Sequence, residues 1–258
     1  VRAQRELKEV ASELARKNQE MEEELSLARE VQQALIPENL PSFKNEEMSV
    51  SFKHLYRPAS ELAGDFFEVI PLGGDRVGFF VCDVMGHGVR SALIVSMLRG
   101  LIEKQANASE GVSDFLTGLN DGLCHLLEES GISMFATAVF GVIDLEKNSV
   151  ELGLAGHASP VAVFSDGVRQ LKPPKHARGP ALGMMEGATY GSVKADLTGL
   201  KRMICFTDGL LEAEDSGGEE FGLDRFIEVI ERGGRLPLLL ERLVKAGIEF
   251  SGEETFDD

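Results

Sequence analysis

The stretch VGFFVCDVMGHG, residues 77–88, decides how the rest of the chain is read. Val77, Phe79, Phe80, Val81 and Cys82 have the β-branched and aromatic character of a buried strand bounded by turn residues. That strand ends on a single carboxylate, Asp83. A carboxylate is costly to bury unless a cation or several donors meet it, so its position asks for a partner. Gly86 and Gly88 then allow the backbone to turn or to approach a ligand without a Cβ clash, and residues 89–104 read as an apolar helix. Strand, acid, glycine turn and helix together describe a ligand site.

Outward from this centre, composition narrows the function classes. A chain of 258 residues can bury a sizeable core. Its formal net charge of −17 excludes a nucleic-acid binder, which needs clustered Lys and Arg to meet phosphates. The same surplus of acids suits divalent cations held by oxygen ligands. Cys82, Cys124 and Cys205 are odd in number and far apart, and read as small hydrophobes in a reducing compartment rather than a disulfide framework or zinc site. No apolar run approaches the roughly 20 residues of a membrane span, and no signal peptide opens the chain. The expected location is the cytoplasm, either as a whole protein or as the cytoplasmic part of a larger sensor, membrane-bound sensors included.

Residues 2–35 contain no Gly or Pro and repeat apolar side chains every seven positions, at Leu7, Leu14, Met21, Ala28 and Leu35. The pattern predicts one long helix. With those residues at heptad position d, position a holds Ala11, Asn18, Leu25 and Gln32, a seam interrupted by polar groups. Two readings stand: a solvated helix packed on its own domain, or a parallel dimeric coiled coil linking to an upstream sensor module. Pro37 and Pro41 stop the helix, which separates a coiled-coil linker at 1–36 from a domain at 37–258.

Within that domain strands are expected at 50–56, 66–70, 135–144, 149–154, 160–164, 168–171, 188–196 and 202–207. Helices are expected at 89–104 and 112–129, and two more across 221–245, broken at Gly233 and Gly234. Gly73-Gly74-Asp75, residues 145–148 and Ser165-Asp166-Gly167 carry hairpin signals. Hairpin-linked strands with helices inserted in pairs imply an α+β fold with antiparallel sheets.

Three acids share one context. Asp65 follows a turn glycine, and Asp83 and Asp208 each end a short apolar strand containing a cysteine. Asp257 and Asp258 add an acidic pair. Each alone reads equally as a turn or capping residue. Oxygen ligands gathered at strand ends bind hard cations such as Mg²⁺ or Mn²⁺.

The order of these segments resembles the metal-dependent Ser/Thr protein phosphatases of the PPM family, in their SpoIIE-like and RsbU-like bacterial branch. The resemblance rests on LAREVQQALIP (27–37), YRPASELAGDFFE (56–68), CDVMGHGVRSAL (82–93), FATAVFGVID (135–144), LAGHASP (154–160), GPALG (179–183), FTDGLLEA (206–213), EFGLDRF (220–226) and FDD (256–258). It implies a sandwich of two antiparallel sheets flanked by helices, with two Mn²⁺ or Mg²⁺ ions at one end. Asp83 would bridge both ions. Asp65 and the main-chain carbonyl of Val84 would complete one shell, and Asp208 with Asp257 would hold the other ion. Two cations flanking a shared water would lower its pKa and leave it to attack phosphorus in line. The family pattern continues past its Asp-Asp pair into a further core strand, which is not in this sequence.

Other residues keep two readings. His87 either donates a proton to the leaving oxygen or orients its loop. Arg57 either grips the substrate phosphate through a bidentate contact or is an ordinary surface arginine. His157 reads as structural, satisfying a loop between strands. The resemblance implies a phosphorylated STAS-type anti-sigma-factor antagonist as substrate and a homodimer through the N-terminal helix. The alternative is a catalytically silent phosphatase fold serving as a dimeric scaffold, and the motifs do not separate protein from small-molecule phosphomonoesters.

Overall fold

A computed structural model describes residues 2–34, 36–37, 40–57 and 62–252. The chain divides into two units, Val1–Ile36 and Pro37–Asp258. The first is helix α1 (Arg2–Gln33). Its exposed face carries ion pairs one turn apart, Arg16 to Glu20 at 2.6 Å and Lys17 to Glu13 at 3.8 Å, which add little beyond helix support. The heptad residues Leu7, Leu14 and Met21 are all more than half exposed, so this part of the seam is open, whereas Gln32 near its end is buried.

The second unit is a layered sandwich. The hairpin β1 (Ser42–Lys44) and β2 (Ser49–Ser51) precedes a mixed sheet of β3 (Phe66–Pro71), β4 (Arg76–Val84), β5 (Ala136–Asp144), β6 (Ser149–Ala155), β9 (Arg178–Gly179) and β10 (Val193–Asp196). The order is β10-β6-β5-β4-β3, all antiparallel, with β9 pairing parallel to β6. A second sheet has the order β11-β7-β8, from β7 (Val161–Phe164), β8 (Gly167–Gln170) and β11 (Leu200–Ile204). The alternating side chains Val77, Phe79, Val139, Leu152 and Leu154 of the large sheet share one core with Leu200 and Met203 of the small one.

Helices close the outer faces. α2 (Val89–Ala108) and α3 (Val112–Ser130) cover the large sheet, with Phe115 stacked on Phe140 at 3.8 Å between ring centroids. α4 (Gly222–Glu231) and α5 (Leu236–Ser251) cover the small sheet through Phe226, Val229, Ile230, Leu239 and Leu243, which pack with Val161 and Ile204. Gly233 and Gly234, both at positive φ, break the two helices apart as expected. Among the described residues no helix is long and apolar enough to cross a membrane.

Three strand expectations need correction. Of 50–56 only Val50 and Ser51 are strand, as the end of β2, although half-buried Phe52, His54 and Tyr56 keep alternating with exposed neighbours. That alternation comes from ring contacts, Phe52 on Phe43 and His54 on Phe67, without a backbone ladder beyond Ser51. In 188–196 only Val193–Asp196 pairs, because the buried Tyr190 hydroxyl is held by Asn120 Oδ1 of α3 at 3.1 Å. The last strand begins at Leu200 and ends at Ile204, so Cys205 to Asp208 leave the sheet.

Candidate active site

The backbone builds the first half of the site. Asp83 is the penultimate residue of β4, paired with Thr137 of β5 and one residue beyond the last pair of the β3–β4 ladder, Phe66 with Cys82. Past the strand, Met85 N–H donates to the Phe135 carbonyl at 3.0 Å, and Gly86 and Gly88 turn through left-handed φ of 78° and 88°. The segment before β3 lies against this turn: Val84 N–H donates to the Gly64 carbonyl at 3.2 Å, and Gly88 N–H to the Leu62 carbonyl at 3.0 Å. A Cβ on Gly64 would stand 2.4 Å from the Val84 carbonyl oxygen and 3.0 Å from that of Gly86, so only glycine permits this approach. Asp65 and the Val84 carbonyl thereby reach the same end of the sheet.

Side chains build the second half. Leaving β11, Thr207 Oγ1 donates to Asp65 Oδ2 at 2.7 Å, a bond between residues 142 positions apart that ties the small sheet to the large one. Asp208 follows directly, and its carbonyl accepts the N–H groups of Leu211 at 2.6 Å and Glu212 at 2.9 Å, closing a turn. The Phe206 ring packs on Phe226 of α4 with centroids 4.6 Å apart. Beneath them, His157 Nδ1 and Thr137 Oγ1 are hydrogen-bonded at 2.7 Å.

Electrostatics agrees with this convergence. Burial pushes the Cys82 thiol well up, and Asp65 and then Asp83 push it further, so both carboxylates bear on one point. Burial alone raises Cys205 to about 12. Both thiols therefore stay protonated, and the donors at this end of the sandwich are oxygens. His157 is held neutral by burial, its pKa lowered to about 4, with the Phe206 backbone opposing the shift.

Asp65, Asp83 and the Val84 carbonyl are brought together, and Asp208 comes to the same end through Thr207. Among the described residues no three His, Cys, Asp or Glu side chains are close enough to enclose an ion by themselves. The donor set nevertheless suits a hard cation, since Mg²⁺ takes one or two carboxylates and keeps several waters. The close Gly64 approach is the feature such a shell needs from the backbone. Asp257 lies outside the described residues. His87 is exposed between its two left-handed glycines, and Arg57 is exposed after the irregular segment that follows β2. Thr207 and Thr137 were not singled out by sequence reasoning. The adjacency of Thr207 to Asp208 was the one available signal, and nothing local points from it to Asp65.

Residues 73–258 match the family described as Stage II sporulation protein E (SpoIIE). The chain is 29% identical to the phosphoserine phosphatase RsbP of Bacillus subtilis over 73% of its length and 45% of the relative's. It is 26% identical to protein IcfG of a Synechocystis species over 91% of its length and 40% of the relative's. It thus spans less than half of each of these two curated relatives. Among solved structures, the SiaA-PP2C domain of Pseudomonas aeruginosa superposes with a TM-score of 0.75 over 94% of this chain and 95% of that one, at 22% identity, a likeness of fold. Phosphatases of the PP2C type are metal-dependent, with Mn²⁺ or Mg²⁺. The chain belongs to the SpoIIE family of PP2C-type phosphatase domains, the branch that also contains RsbP.

Proposed function

We propose that the chain is a metal-dependent serine/threonine phosphoprotein phosphatase of partner-switching signalling. Its substrate in this reading is a phosphorylated STAS-type anti-sigma-factor antagonist, as the resemblance to the SpoIIE-like and RsbU-like branch suggests. The observation that carries the reading is the Thr207 to Asp65 hydrogen bond, which joins the acid-bearing ends of two sheets. Asp65, Asp83 and the Val84 carbonyl would hold one ion in this account, and Asp83, Asp208 and Asp257 would hold a second. Bound Mn²⁺ or Mg²⁺ supplies Lewis acidity toward phosphoryl oxygens and a water of lowered pKa.

The chain's own residues do the rest. Thr207 donates to Asp65 Oδ2 and so holds that carboxylate in place. Gly64 leaves room for the Val84 carbonyl to face the site. His87, exposed four residues beyond Asp83, is free to protonate the leaving serine oxygen, and exposed Arg57 to grip the phosphate. The test is phosphate release from a STAS-type phosphoserine protein with and without Mn²⁺. Manganese-dependent release abolished by Asp83→Ala supports the reading, whereas silence under every condition favours a scaffold.

The exposed heptad residues of α1 support a homodimeric coiled coil that links to an upstream sensor in the cytoplasm. Leu14→Lys in that seam then converts a dimer to a monomer in analytical ultracentrifugation. A parent chain that already sediments as a monomer contradicts the coiled coil.

A further inference from the structure

Residues 167–185 contain no Asp or Glu, in a chain where acids outnumber Lys and Arg by 43 to 26. Lys172, Lys175, His176 and Arg178 lie in the middle of that stretch, and all four are exposed. The neighbouring Arg169 is already engaged, by Asp166 at 3.0 Å and by the Phe164 ring. Lys172, Lys175 and Arg178 are in no ion pair among the described residues. The loop is a local reversal of sign on an acidic molecule.

Its backbone is pinned. Pro173 and Ala177 are buried, and the two prolines, Pro173 and Pro174, have fixed φ. Arg178 Nε donates to the Pro173 carbonyl at 3.0 Å and closes the loop on itself, while Ala177 N–H donates to the Pro174 carbonyl at 2.9 Å. The turn Lys175–Ala177 sits hard against the chain before β10: a Cβ on Gly191 would stand 2.4 Å from the His176 carbonyl oxygen. Charged groups carried on a fixed loop lose less freedom on binding than those of a floppy segment.

Sheet register fixes the distance from this loop to the acidic site. Arg178 pairs with Leu154 of β6, Leu154 with Val139 of β5, and Val139 with Val81 of β4, two residues before Asp83. Three strand spacings across and two residues along put the Arg178 and Asp83 backbones about 16 Å apart. A standard protein interface covers about 800 Å² on each partner, a disc about 16 Å in radius. A protein seated over Asp83 therefore reaches the basic loop, and a small phosphomonoester does not.

We propose that residues 172–178 form a docking patch for the acidic face of a phosphoprotein partner, engaged while the partner's phosphoserine lies at the acidic site. That the partner is a phosphoprotein rests on the phosphatase reading, whereas the charge and position of the loop do not. A chain of net charge −17 repels anionic proteins at long range, and one basic patch on the rim of the site offsets this for a single direction of approach. The same net charge disfavours the other polyanions. An anionic membrane or a nucleic acid calls for a wider field of Lys and Arg than this loop offers.

The test titrates the ¹⁵N-labelled whole chain, without metal, with a peptide whose phosphoserine is spaced about 16 Å, when extended, from a run of Glu. Amide shifts are expected at Lys172, Lys175, Ala177 and Arg178. Affinity is expected to fall about tenfold in the double variant Lys172→Glu with Lys175→Glu. Lys104→Glu with Lys245→Glu makes the same change in net charge at exposed positions of α2 and α5, and is expected to cost less than about twofold. Amide positions of the β4–β5 ladder are expected to be the same in both variants, which reports an intact fold. A peptide with Gln in place of Glu is expected to bind the parent no better than the Glu peptide binds the loop variant. Absence of shifts at residues 172–178 up to millimolar peptide, or equal losses in the two double variants, would overturn the patch. Co-sedimentation of the parent with phosphatidylglycerol vesicles that the loop variant loses would overturn it in favour of a membrane. Failure to release phosphate from the same peptide with Mn²⁺ counts against the phosphatase reading alone, since docking is read without metal or turnover.

Discussion

The two halves of the acidic site are held in different ways. Asp83 is fixed by backbone: it pairs with Thr137 of β5 directly after the last β3–β4 pair, and the turn after it is bonded to Phe135 and Leu62. Asp208 lies outside any strand, and side chains position its segment, through Thr207 on Asp65 and Phe206 on Phe226. Backbone pairing is cooperative and indifferent to pH, whereas a side-chain brace depends on single polar groups. The lesson is that one half should yield to a methyl group and the other to an acid or a missing hydroxyl.

The largest expected effect is on a side-chain contact, the His157–Thr137 pair opposite Asp83. His157 has a folded pKa of about 4 against an ordinary value of 6.5, so below pH 6.5 the unfolded chain binds a proton that the folded chain refuses. Stability is therefore full above pH 6.5 and falls as pH drops toward 4, by on the order of 3 kcal/mol from this group. Denaturant unfolding between pH 7 and pH 4 measures it, and His157→Gln should flatten that part of the profile. An unaltered slope in the variant would break the contrast.

Next is the backbone-held half. Gly64→Ala forces a methyl group onto the Val84 carbonyl oxygen and should lower stability by about 2 kcal/mol, within the usual range for overpacking. The equivalent change at Gly86, with nothing within 4 Å of its Cβ position, meets only the left-handed φ and should lose about 1 kcal/mol. Between these two, Thr207→Val removes the hydrogen bond from Thr207 to Asp65 and should lose about 1.5 kcal/mol, the range for a hydrogen bond to a charged group. Thermal unfolding of the three variants ranks them. A Gly86 variant weaker than the Gly64 one would show that conformation, not space, limits this turn.

The same contrast explains what could be read from sequence. The α+β class, the hairpins at Gly73-Gly74 and Ser165-Asp166-Gly167, and the Asp83 turn were legible, because alternation and glycines record backbone demands directly. The match of Asp65 to Asp83 followed from shared context and family order. What was not legible was held by side chains at long range. Nothing near Thr207 points to Asp65, and nothing near Tyr190 shows that Asn120 will draw residues 188–192 out of a strand. Likewise Phe52, His54 and Tyr56 alternate like a strand because rings on other segments demand it.

The central claim is that two sheets deliver carboxylates to one phosphoryl-transfer site, and its most direct test is Mn²⁺-dependent phosphate release from a STAS-type phosphoserine protein by the parent chain and by Asp83→Ala. The account predicts release that requires manganese in the parent and falls to background in the variant. Release of equal rate from both chains would contradict it.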